Sequence, residues 1–290
     1  MERFELDAVE RITTRTRHGY DTIAVEPLTP LLGAEISGLD LSKELTAQQE
    51  RDVTHAFLTH HVLVFRDQDL DSDGHKRFAG LFGALHPMPV AAEGADPYLL
   101  DISADDKSTW VAGDGWHVDG TALAEPYLGS MLHITRVPEA GGDTLFANMC
   151  LAYDMLSPAM KTFLEGLTAL HDGALPWFRK GQAPPRGAGI ARNEHPVVVR
   201  HPDTGRKLLF VNKPYLSRIT QLSQAESTAV LDMLYAHVAR TPLLHCRVRW
   251  QPKTLVFWDN RCVQHHAVWD YYPHARYGRR VAIRGTRPQA

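Results

Sequence analysis

The stretch WHVDGT, residues 116–121, sets a histidine and an aspartate two positions apart, between a tryptophan and a glycine. In an extended segment, residues i and i+2 project to the same face, so His117 and Asp119 can address one common object. A metal ion is one such object. A buried, hydrogen-bonded histidine beside a turn aspartate accounts for the same triplet equally well, so the reading turns on whether the chain supplies a third ligand.

The sequence around this stretch reads as strands and loops. Residues 86–115 hold Pro87, Pro89, Gly94, Pro97, Gly113 and Gly115 among short apolar runs, and LGSMLHITRV (128–137) is a strand candidate. PEAGGDTLFANM turns at Gly-Gly-Asp into another strand, and SPAMKTFLEGL starts a helix at Ser157 with Pro158 in its first turn. Upstream, Thr46 caps a helix with Val53, Ala56, Phe57 and His60 at helical spacing, followed by the strand 61–65 and a second helix from Ser72 to Gly83. Downstream, HPVVVRHPDTGRKLLFVN reads as a hairpin, LSQAESTAVLDMLYAHVAR as an amphipathic helix capped by Ser223, and VRW, TLVFWDN and RRVAIRG as closing strands. A strand-rich core with peripheral helices predicts an α+β chain with a mainly β core, sandwich or open barrel.

With 290 residues, 44% of them hydrophobic, the chain can bury a sizeable core, and no linker divides it, so residues 1–290 are read as one domain. The longest apolar runs are strand-sized, which predicts no membrane span. The charged N-terminus lacks the apolar stretch of a signal peptide, and a cytoplasmic location is expected. Cys150, Cys246 and Cys262 form no C-x-x-C pair, which argues against a disulfide framework or thiolate zinc site. A formal charge of −3 offers no basic field for nucleic acid. The segment 179–194, RKGQAPPRGAGIARNE, is long and rich in Gly, Pro and Arg; it is read as a lid over a substrate or as a plain surface loop.

Residues 258–280, WDNRCVQHHAVWDYYPHARYGRR, supply the missing partners: His265 and His266 as third ligands, and Arg276, Arg279 and Arg280 as fixed cations. Two histidines and one carboxylate with open positions form the facial triad of non-haem Fe(II) oxygen chemistry. With LLGAEISGLDL (31–41), WHVDGT, the Gly-Gly-Asp-Thr turn, the hairpin and DNRCVQHHAVWDY in this order, the chain resembles the taurine/2,4-D dioxygenase (TauD/TfdA) family of Fe(II)- and 2-oxoglutarate-dependent oxygenases over nearly its whole length.

The resemblance implies a double-stranded β-helix, or jelly-roll, core. It implies Fe(II) on His117, Asp119 and His265, with O₂ and 2-oxoglutarate as cosubstrates, and hydroxylation or cleavage of an organic acid with release of succinate and CO₂. The resemblance points to His265, directly after Gln264; strand parity says only that one of His265 and His266 can face inward, and His266 is kept as the lesser candidate. The far carboxylate of 2-oxoglutarate would fall to Arg276, whose planar fork suits it, and to Thr144. The resemblance further assigns Arg280 to an anionic small-molecule substrate whose body rests near Met88 and Ala91. It places Gly113 where an asparagine is expected, and implies a homo-oligomer. The alternatives are a taurine or alkylsulfonate dioxygenase and a non-catalytic jelly-roll binding protein.

Overall fold

The computed structural model describes residues 1–15, 19–88, 94–179, 181–184 and 190–290. Its backbone is a seven-stranded sheet in the order Ala24–Pro27, Ala34–Ser37, Val62–Phe65, Thr254–Asp259, Gly129–Arg136, Arg276–Ile283 and Leu100–Ala104. All pairings are antiparallel except that of Ala34–Ser37 with Val62–Phe65. A second sheet runs His245–Val248, Thr144–Asn148, Val263–Ala267. Among the described residues the core is mainly β, with helices around it, as the sequence predicts.

The apolar runs VLVF and TLVFW are continuous rather than alternating because the large sheet is covered on both sides. Val62, Val64, Val256, Trp258, Leu132 and Ile134 pack in the same cluster as Phe146, Ala147 and Val263 of the second sheet. The intervening Leu63, Phe65, Leu255, Phe257 and Met131 face the other way, onto Val53, Ala56 and Phe57 of helix Ala47–His60 and Phe78 and Ala79 of helix Ser72–Gly80. Phe57 stacks on Phe257 at 3.9 Å between ring centroids.

Local signals place these helices. Thr46 and Gln49 form a capping box, as do Ser223 and Glu226 at the head of Gln224–Arg240, so each start satisfies backbone N–H groups that would otherwise be orphaned. Asp71 rather than Ser72 caps the second helix, which ends at Gly80, three residues earlier than read. The hairpin pairs Val198–Arg200 with Lys207–Leu209, turning through Gly205 at φ +67°. The segment read as a lid is divided: Arg179 ends the helix Leu175–Arg179, residues 192–194 open the strand Arg192–Pro196, and residues 180 and 185–189 lie outside the described residues. No helix among the described residues is long and apolar enough to cross a membrane.

Several histidines are interior residues of this scaffold. Burial pushes the pKa of His61, His75 and His171 down to about 3. An unfolded histidine titrates at about 6.5, so below that pH the unfolded chain takes up protons that the folded chain does not. Stability is therefore full above that pH and falls as pH drops toward the folded pKa, by about 1.4 kcal/mol per pH unit for each such group. Urea unfolding followed between about pH 7 and pH 4 should show this slope. The variant His171→Leu, which removes a ring whose two nitrogens find no protein partner, should lower the slope by one proton's worth.

Candidate active site

His117 is not in a strand. It makes an isolated bridge with His265, each backbone N–H donating to the other's carbonyl at 3.0 and 2.9 Å. Beyond it the chain turns at Gly120, φ +66°, so the pleat of a continuous strand is not what aims His117 and Asp119 together. Asn260 does that work. Its Oδ1 accepts from the Asp119 N–H at 3.0 Å, while its Nδ2 donates to the Asp119 carbonyl at 2.9 Å and to the Tyr127 carbonyl at 3.2 Å.

The result is a compact group. Ligand atoms of His117, Asp119 and His265 all lie within 4.8 Å of one another, and all three residues are buried. The Nε2 atoms of His117 and His265 stand 3.6 and 3.8 Å from the two Asp119 oxygens. His117 Nδ1 lies 2.9 Å from the Gly115 carbonyl, which can only accept, so Nδ1 carries the proton and Nε2 keeps its lone pair for the cavity. Gly113, where an asparagine was expected, has φ +87°, and a Cβ there would stand 3.2 Å from the His117 ring. The glycine lets the backbone pass against the ligand.

Charge is balanced within the cluster. Burial alone would raise the Asp119 pKa, but Arg280, His265 and His117 together outweigh it and hold the carboxyl well below its usual range. Arg280 Nη1 donates to Asp119 Oδ2 at 2.7 Å and Ser130 Oγ lies 3.4 Å from the same oxygen, leaving Oδ1 as the freer ligand atom. Burial, with His117 second, keeps His265 well below the usual imidazole range, hence neutral. His266 faces away, 3.6 Å from Asp114. Two imidazoles and an ionised carboxylate form a donor set that fits Fe(II). His61, Asp259 and Cys262 are equally close together, but Asp259 already accepts from Arg261 at 2.8 and 2.7 Å and from His201 at 2.8 Å.

Thr144 and Arg276 each open a strand, and Trp250 joins them. The Trp250 indole N–H donates to Thr144 Oγ1 at 3.0 Å, and the Arg276 guanidinium carbon sits 5.3 Å from the centre of the Trp250 ring. Arg276 is 5% exposed, yet its Nε and Nη2 have no partner. Buried cationic donors aimed into a cavity fit a carboxylate. Gly142 makes room for them, since a Cβ there would stand 3.2 Å from Arg276 Cδ.

One cavity of about 1050 Å³ is lined by His117, Asp119, His265, Thr144, Arg276 and Arg280. Met88 does not line it; it packs with Tyr127 and Ala282 and touches Arg280, Nη2 to Sδ 3.9 Å. At 5% exposed, Met88 lies against the Arg280 guanidinium. Ala91 lies outside the described residues. Sequence reasoning gave no role to Asn260 or Trp250, although the DNR and VRW segments were in view; their partners are 141 and 106 positions away, with no local signal.

Residues 24–283 match the model of the taurine catabolism dioxygenase TauD, TfdA family. The chain belongs to this family. As a TauD/TfdA member it is a non-haem iron dioxygenase that depends on Fe(II), 2-oxoglutarate and O₂ and hydroxylates a small organic substrate, and its core is the jelly roll of that fold. It is 34% identical to an alkylsulfatase of Acinetobacter baylyi, over 94% of this chain and 89% of that protein. It is 32% identical to an alpha-ketoglutarate-dependent sulfate ester dioxygenase of Pseudomonas putida, with 91% and 90% covered. A taurine dioxygenase from Burkholderia xenovorans has a crystal structure that superposes with a TM-score of 0.80, at 32% identity, covering 92% of this chain and 91% of that one.

The geometry predicts that His265→Ala abolishes Fe(II) binding while His266→Ala leaves it within a small factor, as measured by anaerobic metal titration. The opposite pattern would move the third ligand to His266.

Proposed function

We propose that His117, Asp119 and His265 hold the Fe(II), that Arg276 and Thr144 seat the far carboxylate of 2-oxoglutarate, and that the substrate is a small organic anion, a sulfate ester first among them. The observation that carries the reading is the confluence, in one cavity, of the three ligands and a buried arginine with unpartnered donors. When bound, Fe(II) with 2-oxoglutarate and O₂ supplies the oxidising chemistry: succinate and CO₂ leave, and one oxygen atom enters a substrate C–H bond.

The chain's own residues supply position and charge. The Thr144 oxygen accepts from Trp250, so its hydroxyl hydrogen is free to donate to a carboxylate beside the Arg276 fork. Trp250 holds the guanidinium by its ring face. Arg280 braces Asp119 and also lines the cavity, so the same cation can face a substrate anion there and orient one carbon toward the metal. Hydroxylation of the carbon bearing a sulfate group gives a product that expels sulfate and becomes an aldehyde, so cleavage is the visible outcome. The names of the alkylsulfatase and the sulfate ester dioxygenase support this class. Trp110, Trp116, Trp177, Tyr215 and Tyr235 line a space suited to a substantial apolar body. A compact aminosulfonate is the second reading, favoured by the taurine dioxygenase structure.

An anaerobic titration of the Fe(II) protein with 2-oxoglutarate, watching for the visible charge-transfer band, tests the site. Arg276→Ala should weaken 2-oxoglutarate binding by roughly 2–5 kcal/mol, and Thr144→Val by about 1 kcal/mol; unchanged affinity in Arg276→Ala would remove that assignment. Succinate release from a panel of alkyl sulfates, alkylsulfonates, taurine and phenoxyacetates tests the substrate. Arg280→Ala should raise the KM of the preferred anion or uncouple succinate from product. Arg279→Ala, whose side chain pairs with Asp101 outside the cavity at 3.1 Å, should change neither.

A further inference from the structure

The lining of the cavity carries five cations against three carboxylates: Arg179, Lys213, Arg240, Arg276 and Arg280 against Asp114, Asp119 and Asp232. The whole chain has a formal charge of −3, so the cavity is electropositive within a net acidic protein. The excess sits where ligands enter. Arg276 and Asp119 are buried, whereas Arg179, Lys213, Asp232 and Arg240 are exposed and form one lip of the mouth. Exposed Trp110, Ala112 and Asp114 form the other.

Three separate elements contribute the basic lip: the end of helix Leu175–Arg179, the loop after strand Lys207–Leu209, and the last turn of helix Gln224–Arg240. Arg179 donates to the Lys213 carbonyl, which ties the first two together. Among the described residues, none of the three cations pairs with a carboxylate.

We propose that Arg179, Lys213 and Arg240 form an anion-docking rim that captures 2-oxoglutarate, a dianion, and guides it to its seat inside. The rim rests on the reading of Arg276 as that seat. Charges of one sign on a cleft with apolar walls focus the field along its axis and raise the encounter rate with oppositely charged ligands. Trp116, Trp177, Val111 and Pro176 are such walls. The rim acts on arrival and not on the bound state, because Thr144 and the Arg276 donors lie deep in the cavity and make the final contacts. Its reach is set by the ionic atmosphere, about 10 Å at 0.1 M salt. The same rim serves any small carboxylate, sulfonate or sulfate that enters by this mouth.

The test is anaerobic stopped-flow mixing of the Fe(II) protein with 2-oxoglutarate, following the charge-transfer absorbance, at about 20 mM and about 500 mM salt. In the triple variant Arg179→Gln, Lys213→Gln, Arg240→Gln, the association rate at low salt should fall about tenfold with the dissociation rate unchanged. The two proteins should converge at high salt. Asp232→Asn, which removes the one carboxylate on the basic lip, should raise the association rate. An unchanged association rate, an equal salt dependence in both proteins, or a loss expressed in dissociation would overturn the rim. Arg276→Ala is the reference: it should speed dissociation and spare association. If Arg276→Ala leaves dissociation unchanged, the seat is overturned; if only the triple variant fails to slow association, the rim falls and the seat stands.

Discussion

An ionised carboxylate sits out of water in this protein, and the surrounding structure is arranged to make that tolerable. Removing such a charge from solvent costs several kcal/mol unless opposite charge and hydrogen bonds replace its hydration. Asp119 receives Arg280 on Oδ2, with the His265 imidazole 3.8 Å from that same oxygen and the His117 imidazole 3.6 Å from Oδ1. A divalent cation held by these three side chains would add the positive charge that completes the balance. Each of these partners comes from a different part of the chain, so the need to neutralise one carboxylate draws together the 116–121 loop and the strands Val263–Ala267 and Arg276–Ile283.

The turn that clamps the Asp119 backbone is itself held by a second buried charge. Asp259 ends the central strand Thr254–Asp259 and accepts from Arg261 and His201, with its carboxyl held well below the usual range although burial pushes the other way. Asn260, between Asp259 and Arg261, is thereby fixed in the turn from which it grips both backbone groups of Asp119. Two buried ionic groups thus act in series, one securing the turn and the other shaping the site. The central strand, buried along its whole length, leads into this turn.

Much of this was legible in sequence because the signals were local. Capping pairs at Thr46 and Ser223, the glycine turns at 141–142 and 205, and the uninterrupted apolar strands each report a backbone constraint that neighbouring residues satisfy. Parity said that His265 and His266 would face opposite ways, and the two do point apart. What could not be read were contacts closed only by the fold. Nothing near Arg280 in sequence announces Asp119, 161 residues away, and a methionine five residues past the Phe82-Gly83 pair gives no sign that it will touch that arginine. The extended form of WHVDGT was read as a strand because alternation is the commonest way to aim i and i+2 together. A single bridge followed by a side-chain clamp reaches the same end without a ladder.

That bridge has a further meaning for how the protein handles its metal. His117 and His265 are joined through their own backbones, and Asp119 is clamped by an amide, so protein contacts hold the three side chains together. In small zinc domains the ion organises the chain, and chelation unfolds it. Here a backbone bridge and an amide clamp do that organising, so an ion held by these residues would exchange without the chain having to refold. Metals of similar size and charge can compete for a preassembled nest, and occupancy follows supply and ligand preference, with no refolding needed between one tenant and the next.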